Sequence, residues 1–346
     1  MLRAGPQERR ERRGRGGVRD VAAEHPLLAL QRSAGNAAVA RAVLARRFDR
    51  AAYDKAMAER EKFLAWVYES HSWRPSTHRG NFDVLYEPKS AALTVTVKCK
   101  FWFKDGDPAD WEDEEDVEPG ENRWDPAAIL KWKADFMRQV SAKWSGNFTF
   151  YCGRPWWEDL QAAVQVRFVE SEEKESHYAL TVTKVPDTAY RQSRVKGPKR
   201  RKAHGHGNVK LNSGSLTSTE KTGDQYQTAA FHEAGHMLGL GDEYTGDEDR
   251  LKKPVAHEEL VKAEFGHGVP RKDDGSIMST GDDIKPWHGV TFLEALRGIT
   301  GVQEWSHTQH APTPGPPQFD MSPPVDGPMP HQQNPLAPAP PEVAFT

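Results

Sequence analysis

FHEAGHMLGLGDEY, residues Phe231–Tyr244, is the stretch that decides how the rest of the chain is interpreted. Its two histidines, His232 and His236, are four positions apart, so a helix would place both imidazoles on one face. Helices bind zinc with histidines at this spacing. The run from Tyr226 to Leu240 is rich in Ala, Leu, Met, His and Gln, and it predicts such a helix.

Three further residues complete the pattern H-E-x-x-H-x-x-G-x-x-D. Glu233 is predicted to lie beside the metal, where a carboxylate can accept a proton from a water molecule. Gly239 can adopt left-handed backbone angles, so we expect the helix to end and the chain to turn there. That turn would bring Asp242 back as a third ligand and leave a fourth position open for water, as in catalytic zinc sites.

The same stretch also admits a plainer interpretation, an amphipathic helix with surface histidines. H-E-x-x-H alone is moderate evidence, because by composition it arises by chance in roughly a few per cent of chains of this size. The Gly and the Asp at fixed offsets lower that frequency to roughly one in a thousand, which favours the metal site.

A second motif lies downstream, where residues 276–280 read SIMST. The long helix motif followed by a Ser-x-Met turn resembles the metzincin clan of zinc metalloproteases. The resemblance implies that His232, His236 and Asp242 are the metal ligands and that Glu233 is the general base. It also implies that Met278 is the methionine of a turn beneath the metal, although a plain core methionine is the simpler interpretation of Met278 alone.

The chain departs from the commonest metzincin pattern at two positions. Most members have His as third ligand, and Asp242 in that place is similar to snapalysin-type bacterial members. Some members carry a Tyr two residues after the methionine, where this chain has Thr280. A tyrosine that stabilises the transition state is therefore not identified, and Tyr244 is a weak candidate.

Composition indicates which partners to expect. The 346 residues are 37% hydrophobic and 28% charged, with a net charge of −3, which predicts no bulk attraction to nucleic acid or to an anionic membrane. No apolar run approaches the ~20 residues of a membrane span. The Arg-rich N-terminus lacks the apolar core of a secretory signal, so we expect synthesis in the cytoplasm without a signal peptide.

Residues 25–47 are predicted to form a short helical hairpin, with Pro26 opening the first helix and Gly35 closing it. The stretch LLALQRSAGNAAVARAVL resembles the N-terminal segment of cargo proteins of bacterial extracellular contractile injection systems. The resemblance implies a docking or loading signal for a tube or sheath component and export through that apparatus. A generic amphipathic hairpin is the alternative.

The predicted fold class is α+β, with a metzincin-like mixed sheet, a zinc-binding active-site helix and a Met-turn. We divide the chain into a disordered basic N-terminus (1–24), the docking segment (25–47), a metalloprotease domain (48–310) and a disordered Pro-rich tail (311–346). The predicted helices span 48–73, 126–144, 226–240, 257–265 and 290–299. The predicted strands span 91–103, 147–152, 163–169, 178–185 and 208–212.

Four other features each leave two interpretations open. The acidic run Asp105–Glu121 suits calcium but matches no EF-hand spacing, so a solvated loop is favoured. Arg191–Lys202 is basic and is interpreted as a surface loop, with an acidic partner as the alternative. His204 and His206 can be a second metal site or simply exposed. The two cysteines, at 99 and 152, are predicted to be buried thiols rather than a disulfide.

Taken together, these motifs predict a zinc-dependent endopeptidase that acts on a protein or peptide substrate. Three hypotheses remain open for its role. In the first, the protein is a protease cargo, or effector toxin, of a contractile injection system. In the second, it is a housekeeping or self-processing peptidase that is not exported. In the third, it is a structural or interaction protein whose metal site holds the fold.

Overall fold

A computed structural model describes residues 48–112, 120–186, 193–197, 206–221, 225–243, 255–270 and 273–316. The predicted segments 1–24 and 25–47 lie outside the described residues, as do Tyr244 and most of the predicted tail. Nearly all of the described residues belong to one compact unit, Ala51–Pro314. No helix in the described part of the chain combines the length and the apolar character that crossing a bilayer would require.

The described residues form helices and strands in the following order along the chain. The helices are α1 (Arg50–Leu64), α2 (Pro126–Trp144), α3 (Ala229–Met237), α4 (Glu258–Phe265) and α5 (Val290–Thr300). The strands are β1 (Tyr68–Trp73), β2 (Phe82–Glu87), β3 (Ala92–Lys104), β4 (Thr149–Cys152), β5 (Gln161–Glu170), β6 (Tyr178–Thr183), β7 (Arg194–Lys196), β8 (Gly207–Asn212), β9 (Ser218–Glu220), β10 (Tyr226–Thr228) and β11 (Trp305–Ser306).

The main sheet is mixed, and the long strand β3 is its centre. The strand order is β11-β4-β5-β3-β6-β8-β7, and β2 and β1 are added through β3. Strand β3 runs parallel to β5 over its first half and parallel to β6 over its second half. Strands β2, β4 and β7 pair antiparallel with their neighbours. The predicted α+β class with a mixed sheet is therefore present.

Strand β3 and helix α2 show why these segments fold as predicted. Alternate residues of β3 are buried from Leu93 to Phe101, which matches the period of two of a strand. Helix α2 begins after Asp125, whose carboxylate accepts from two backbone N–H groups at 2.8 and 2.9 Å. Its buried residues recur at helical spacing and cover the sheet: Trp132, Phe136, Val140 and Trp144.

One predicted helix is wrong in its second half. Residues 48–73 were expected to be helical, but α1 ends at Leu64 and Tyr68–Trp73 forms strand β1. The reason is tertiary: β1 pairs with β2, a strand that the sequence analysis missed, and Tyr68 stacks on Phe63 with ring centroids 4.8 Å apart. The predicted zinc helix is also shorter, because Tyr226–Thr228 pairs with β9 as a strand.

Helix α3 is held at its C-terminal end by groups from three other elements. The Met237 carbonyl accepts from the Asn81 N–H and from the Tyr178 hydroxyl, both at 3.2 Å. The Leu238 carbonyl accepts from the Thr291 hydroxyl at 2.9 Å. These bonds satisfy carbonyls that the end of a helix leaves unpaired, so they fix α3 against the sheet and α5.

The first residues of the predicted tail lie against the body of the protein. The Glu158 carboxylate accepts from the Thr313 N–H at 3.1 Å, and the Pro314 carbonyl accepts from the Trp156 indole at 3.0 Å. The domain end at residue 310 remains a prediction, and these contacts extend the packed chain beyond it.

Candidate metal centre

Helix α3 presents His232 and His236 side by side, as their spacing predicted. Their ring centroids are 4.8 Å apart and the rings are nearly perpendicular, at 88°. Asp242 Oδ1 lies 3.3 Å from Nε2 of His232 and 3.1 Å from Nε2 of His236. One ligand atom from each of the three residues lies within 4.8 Å of the others, so this group can hold a metal ion.

The turn that returns Asp242 to the helix begins at Gly239. Its φ of 103° lies in the left-handed region, where a side chain is strained. A Cβ at this position would also approach Pro75 Cγ to 3.0 Å. The Leu240 N–H donates back to the Gly235 carbonyl at 2.9 Å, so the chain reverses tightly over the last turn of the helix.

Two backbone carbonyls determine which nitrogen of each imidazole faces Asp242. His232 Nδ1 lies 2.8 Å from the Ile277 carbonyl oxygen, and His236 Nδ1 lies 3.0 Å from the Leu240 carbonyl oxygen. A carbonyl only accepts, so each Nδ1 carries the proton and each neutral ring turns the lone pair of Nε2 inward. Facing a carboxylate oxygen, these lone pairs repel unless a proton or a metal cation lies between them. The donor set therefore fits a metal.

Gln227 and Asp282 support this arrangement, and sequence reasoning missed both. Gln227 donates to the Ser279 carbonyl at 2.7 Å and so ties the start of α3 to the segment that contains Met278. Its amide also lies 3.3 Å from His232 Nδ1, a contact between two donors rather than a hydrogen bond. Asp282 accepts from the N–H and the hydroxyl of Thr228, each at 3.0 Å. No local sequence pattern predicts these hydrogen bonds, because each joins segments that are far apart in the chain.

Met278 lies directly beneath the ligand helix. It is fully buried, and a Cβ added to Gly235 would come within 2.2 Å of its sulfur. The helix and the turn therefore approach as closely as they do only because residue 235 has no side chain. Thr280 donates its hydroxyl to the Asp274 carbonyl at 3.1 Å.

Glu233 has the surroundings of a proton acceptor. It is 6% exposed, and its Oε2 has no hydrogen-bond partner among the described residues. Burial raises the pKa of Glu233 to about 7, and the charge of Asp242 adds to this effect. His232 and the backbone N–H of Val195 in β7 act in the opposite direction. A carboxylate held in this range is suited to exchange protons near neutral pH.

Asp242 is more open to solvent than the other two residues of the group. Its side chain is 35% exposed, whereas those of His232 and His236 are 10% and 8% exposed. Burial by itself raises the pKa of Asp242, but the two histidines outweigh burial when their Nε2 atoms carry protons, and they then lower the pKa well below its usual range. The carboxylate is therefore the part of the group that is most accessible to solvent.

The next residue, Glu243, is the centre of a second cluster. Its Oε1 accepts from His257 Nε2 at 3.0 Å, from His288 Nε2 at 3.2 Å and from Trp287 Nε1 at 2.9 Å. Its Oε2 accepts from the Ser276 hydroxyl at 2.5 Å. Burial raises the pKa of Glu243, but the hydrogen bonds from His257 and His288 outweigh it and lower the pKa well below its usual range.

The other predicted features do not join the metal centre. Among the described residues, His232, His236 and Asp242 are the one group whose potential ligand atoms all lie within 4.8 Å of one another, and His204 lies outside the described residues. Cys99 and Cys152 are buried free thiols, as predicted, and burial raises the pKa of Cys152 to about 11. Part of the acidic run and part of the basic run lie outside the described residues, while Arg194–Lys196 of the basic run forms the edge strand β7.

Comparison with known proteins yields no relative: no family model, no curated protein and no solved structure matches the chain. The residues themselves therefore carry the functional argument.

Proposed function

We propose that this protein is a zinc-dependent endopeptidase. One observation carries the proposal: the group of His232, His236 and Asp242 lies beside a buried carboxylate, Glu233, that has no partner for one of its oxygens among the described residues. A purely structural site needs no such carboxylate, and it is usually closed by a fourth protein ligand.

Zinc is the metal that this donor set favours. Two imidazole nitrogens and one carboxylate oxygen are the ligands of a catalytic zinc site, in which water takes the fourth position. Calcium and magnesium prefer oxygen ligands throughout, whereas imidazole nitrogens suit zinc and the other late first-row metals. The partial solvent exposure of the Asp242 side chain is consistent with access for a water molecule and a substrate.

When bound, a zinc ion acidifies a water molecule and polarises the carbonyl of the peptide bond to be cut. In this proposal Glu233 accepts the proton of the attacking water and passes it to the leaving amine. The Glu233 side chain is largely shielded from bulk water, and its raised pKa suits it to take up and release a proton near neutral pH.

The substrate in this proposal is an extended peptide. Strand β7 lies at the edge of the main sheet, and in the described part of the chain it pairs only with β8. The effect of the Val195 N–H on the pKa of Glu233 indicates that this strand borders the candidate site. A peptide added beside β7 as a further strand would therefore pass close to Glu233.

The resemblance of residues 25–47 to injection-system cargo supports a second part of the proposal, export as an effector. Deleting residues 1–47 tests this part, because the deletion leaves the metal centre in place. We expect loading into the apparatus to be lost while peptide cleavage is retained. Unchanged localisation would overturn the cargo role and leave a peptidase that is not exported.

Cleavage of a mixed peptide library, read by mass spectrometry, tests the proposed enzyme. Wild type and Glu233→Gln are compared after zinc loading, and Glu264→Gln serves as control because the Glu264 side chain is also largely buried but bonds to His307 and Arg297. We expect cleavage to fall by about 10²- to 10⁴-fold in Glu233→Gln alone, with its zinc content unchanged. A folded, zinc-loaded wild type that makes no cuts would overturn the proposal.

A further inference from the structure

We propose that Glu243 and His257 form a positioning pair that holds the third ligand, Asp242, in place. This inference rests on the proposed metal site and extends it to residues that touch neither the metal nor a substrate. The proposal gives a role to the cluster around Glu243. None of the residues of this cluster belongs to the pattern H-E-x-x-H-x-x-G-x-x-D.

Both neighbours of Asp242 in the chain are anchored by hydrogen bonds: Gly241 by a residue of this cluster, and Glu243, the centre of the cluster, also through its backbone. On one side, the Gly241 N–H donates to His257 Nδ1 at 3.1 Å. On the other side, the Glu243 N–H donates to the Met278 carbonyl at 2.8 Å. Among the described residues, the Asp242 side chain has polar contacts only with the two ligand histidines, so its position depends on the backbone that flanks it.

The protonation of His257 is determined by the groups at its two nitrogens. Nδ1 accepts the Gly241 N–H, so Nε2 must carry the proton of the neutral ring, and this proton is donated to Glu243. Glu243 therefore holds the ring in the tautomer that can accept from Gly241. The connection runs from the Glu243 carboxylate through the imidazole to the residue that precedes Asp242.

Four donors make it possible to keep the Glu243 carboxylate charged inside the protein. The side chain is only 1% exposed, and a buried carboxylate without partners would be strongly destabilising. Three N–H donors and the Ser276 hydroxyl surround its two oxygens. They come from three places in the chain, so the carboxylate is held from several directions.

The cluster also links the metal centre to the segment between Asp242 and the Met-turn. Loops beside an active site often shape the substrate cleft, but residue His257 of this segment lies at the start of α4 and bonds to the ligand turn. A change in this segment is therefore expected to alter metal binding and not only substrate preference.

Zinc affinity of the full-length protein, measured by competition with a chelator, tests the positioning pair. We expect Glu243→Ala and His257→Gln to bind zinc about 10- to 100-fold more weakly than wild type. In His257→Gln the amide nitrogen can still donate to Glu243, but the acceptor for Gly241 is lost. Glu243→Gln keeps an acceptor for the three N–H donors, so we expect it to stay within about threefold of wild type.

Asp83→Asn is the matched control. Asp83 also accepts from a buried histidine, His177, at 3.1 Å, but it belongs to β2 and to no part of the ligand turn. Its substitution should lower stability and leave zinc affinity unchanged. The visible spectrum of the cobalt(II)-substituted protein provides a second measurement, because it changes when Asp242 leaves the metal and not when the fold is merely less stable.

His257→Gln keeps the test decisive if Glu243→Ala does not fold. A folded His257→Gln protein with wild-type zinc affinity and a wild-type cobalt spectrum would overturn this proposal alone, while the proposed enzyme would stand. A wild-type protein that binds no zinc would instead overturn the proposed function, and this proposal with it.

Discussion

Two consecutive carboxylates, Asp242 and Glu243, each contact two histidines, yet the two clusters have opposite chemistry. At Asp242 the Nδ1 atoms of His232 and His236 donate to backbone carbonyls, so lone pairs face the carboxylate. At Glu243 the Nδ1 atoms of both histidines accept from backbone N–H groups, those of Gly241 and Lys285, so N–H bonds face the carboxylate.

The comparison shows that residue type alone does not make a metal site. Each cluster contains two imidazoles and one carboxylate. The backbone group at Nδ1 decides whether Nε2 is free to bind a cation or already donates to an anion. Solvent access differs accordingly, since the side chain of Asp242 is 35% exposed and that of Glu243 only 1%.

The largest expected effect on stability comes from Glu243→Ala. We expect the free energy of unfolding of the metal-free protein to fall by about 3–5 kcal/mol, because three buried N–H donors lose their acceptor. Urea denaturation in the presence of a chelator measures it. Glu294→Ala is the control. Among the described residues, Glu294 accepts only from the Ser76 N–H near the surface, so its substitution should cost less than about 1 kcal/mol. Equal losses in the two variants would remove the contrast between the clusters.

His236→Ala should have the opposite pattern, with a large effect on stabilisation by zinc and a smaller effect on the stability of the metal-free protein. Zinc at 100 times its Kd should stabilise wild type by about 2.7 kcal/mol, and this gain should vanish in the variant. Without metal, the loss of the buried hydrogen bond to the Leu240 carbonyl is partly offset by the removal of one of the converging lone pairs, so we expect the free energy of unfolding to fall by about 1–2 kcal/mol. Thermal unfolding with and without zinc measures both quantities. A variant that keeps the zinc-dependent shift would show that the metal binds elsewhere.

Gly235→Ala probes the support beneath the ligand cluster. The new Cβ would meet the Met278 sulfur, so we expect a loss of about 1–3 kcal/mol in unfolding free energy. In a double-mutant cycle, Met278→Ala should relieve most of that loss, because it removes the clash. Strict additivity of the two single changes would argue against direct packing of the turn on the helix.

The smallest expected effect on stability comes from Asp83, a third carboxylate that bonds to a histidine. Burial raises its pKa, but His177 and Lys98 outweigh burial and lower the pKa well below the usual range, with His71 at the outer side. A depressed pKa stabilises the fold above the unfolded value of about 4, and that contribution is lost as the pH falls below it.

Asp83→Asn should therefore cost about 1–2 kcal/mol at pH 7 and flatten the acid limb of the stability curve. Denaturation midpoints between pH 3 and pH 7 measure it. If the variant loses as much stability on acidification as wild type, other carboxylates carry the acid sensitivity.

The failures of sequence interpretation have two causes. Residues 68–73 were assigned to a helix because β2, the next strand along the chain and their antiparallel partner, was missed. Gln227 and Asp282 were missed because each bonds across the fold to a backbone group far away in the chain. The start of α2 was predicted correctly because it depends on a local feature, the Asp125 side chain that caps the helix.

The sequence by itself determined the local parts of the site: two histidines on one helix face, a glutamate beside them, and a glycine that lets the chain turn to Asp242. Spacing and backbone freedom are properties of the chain and can be read without the fold. Only the tertiary structure decided which imidazole nitrogens carry protons and that Glu243 lies in a closed cluster. Both depend on backbone groups and side chains that folding brings from distant positions, and no local pattern records them.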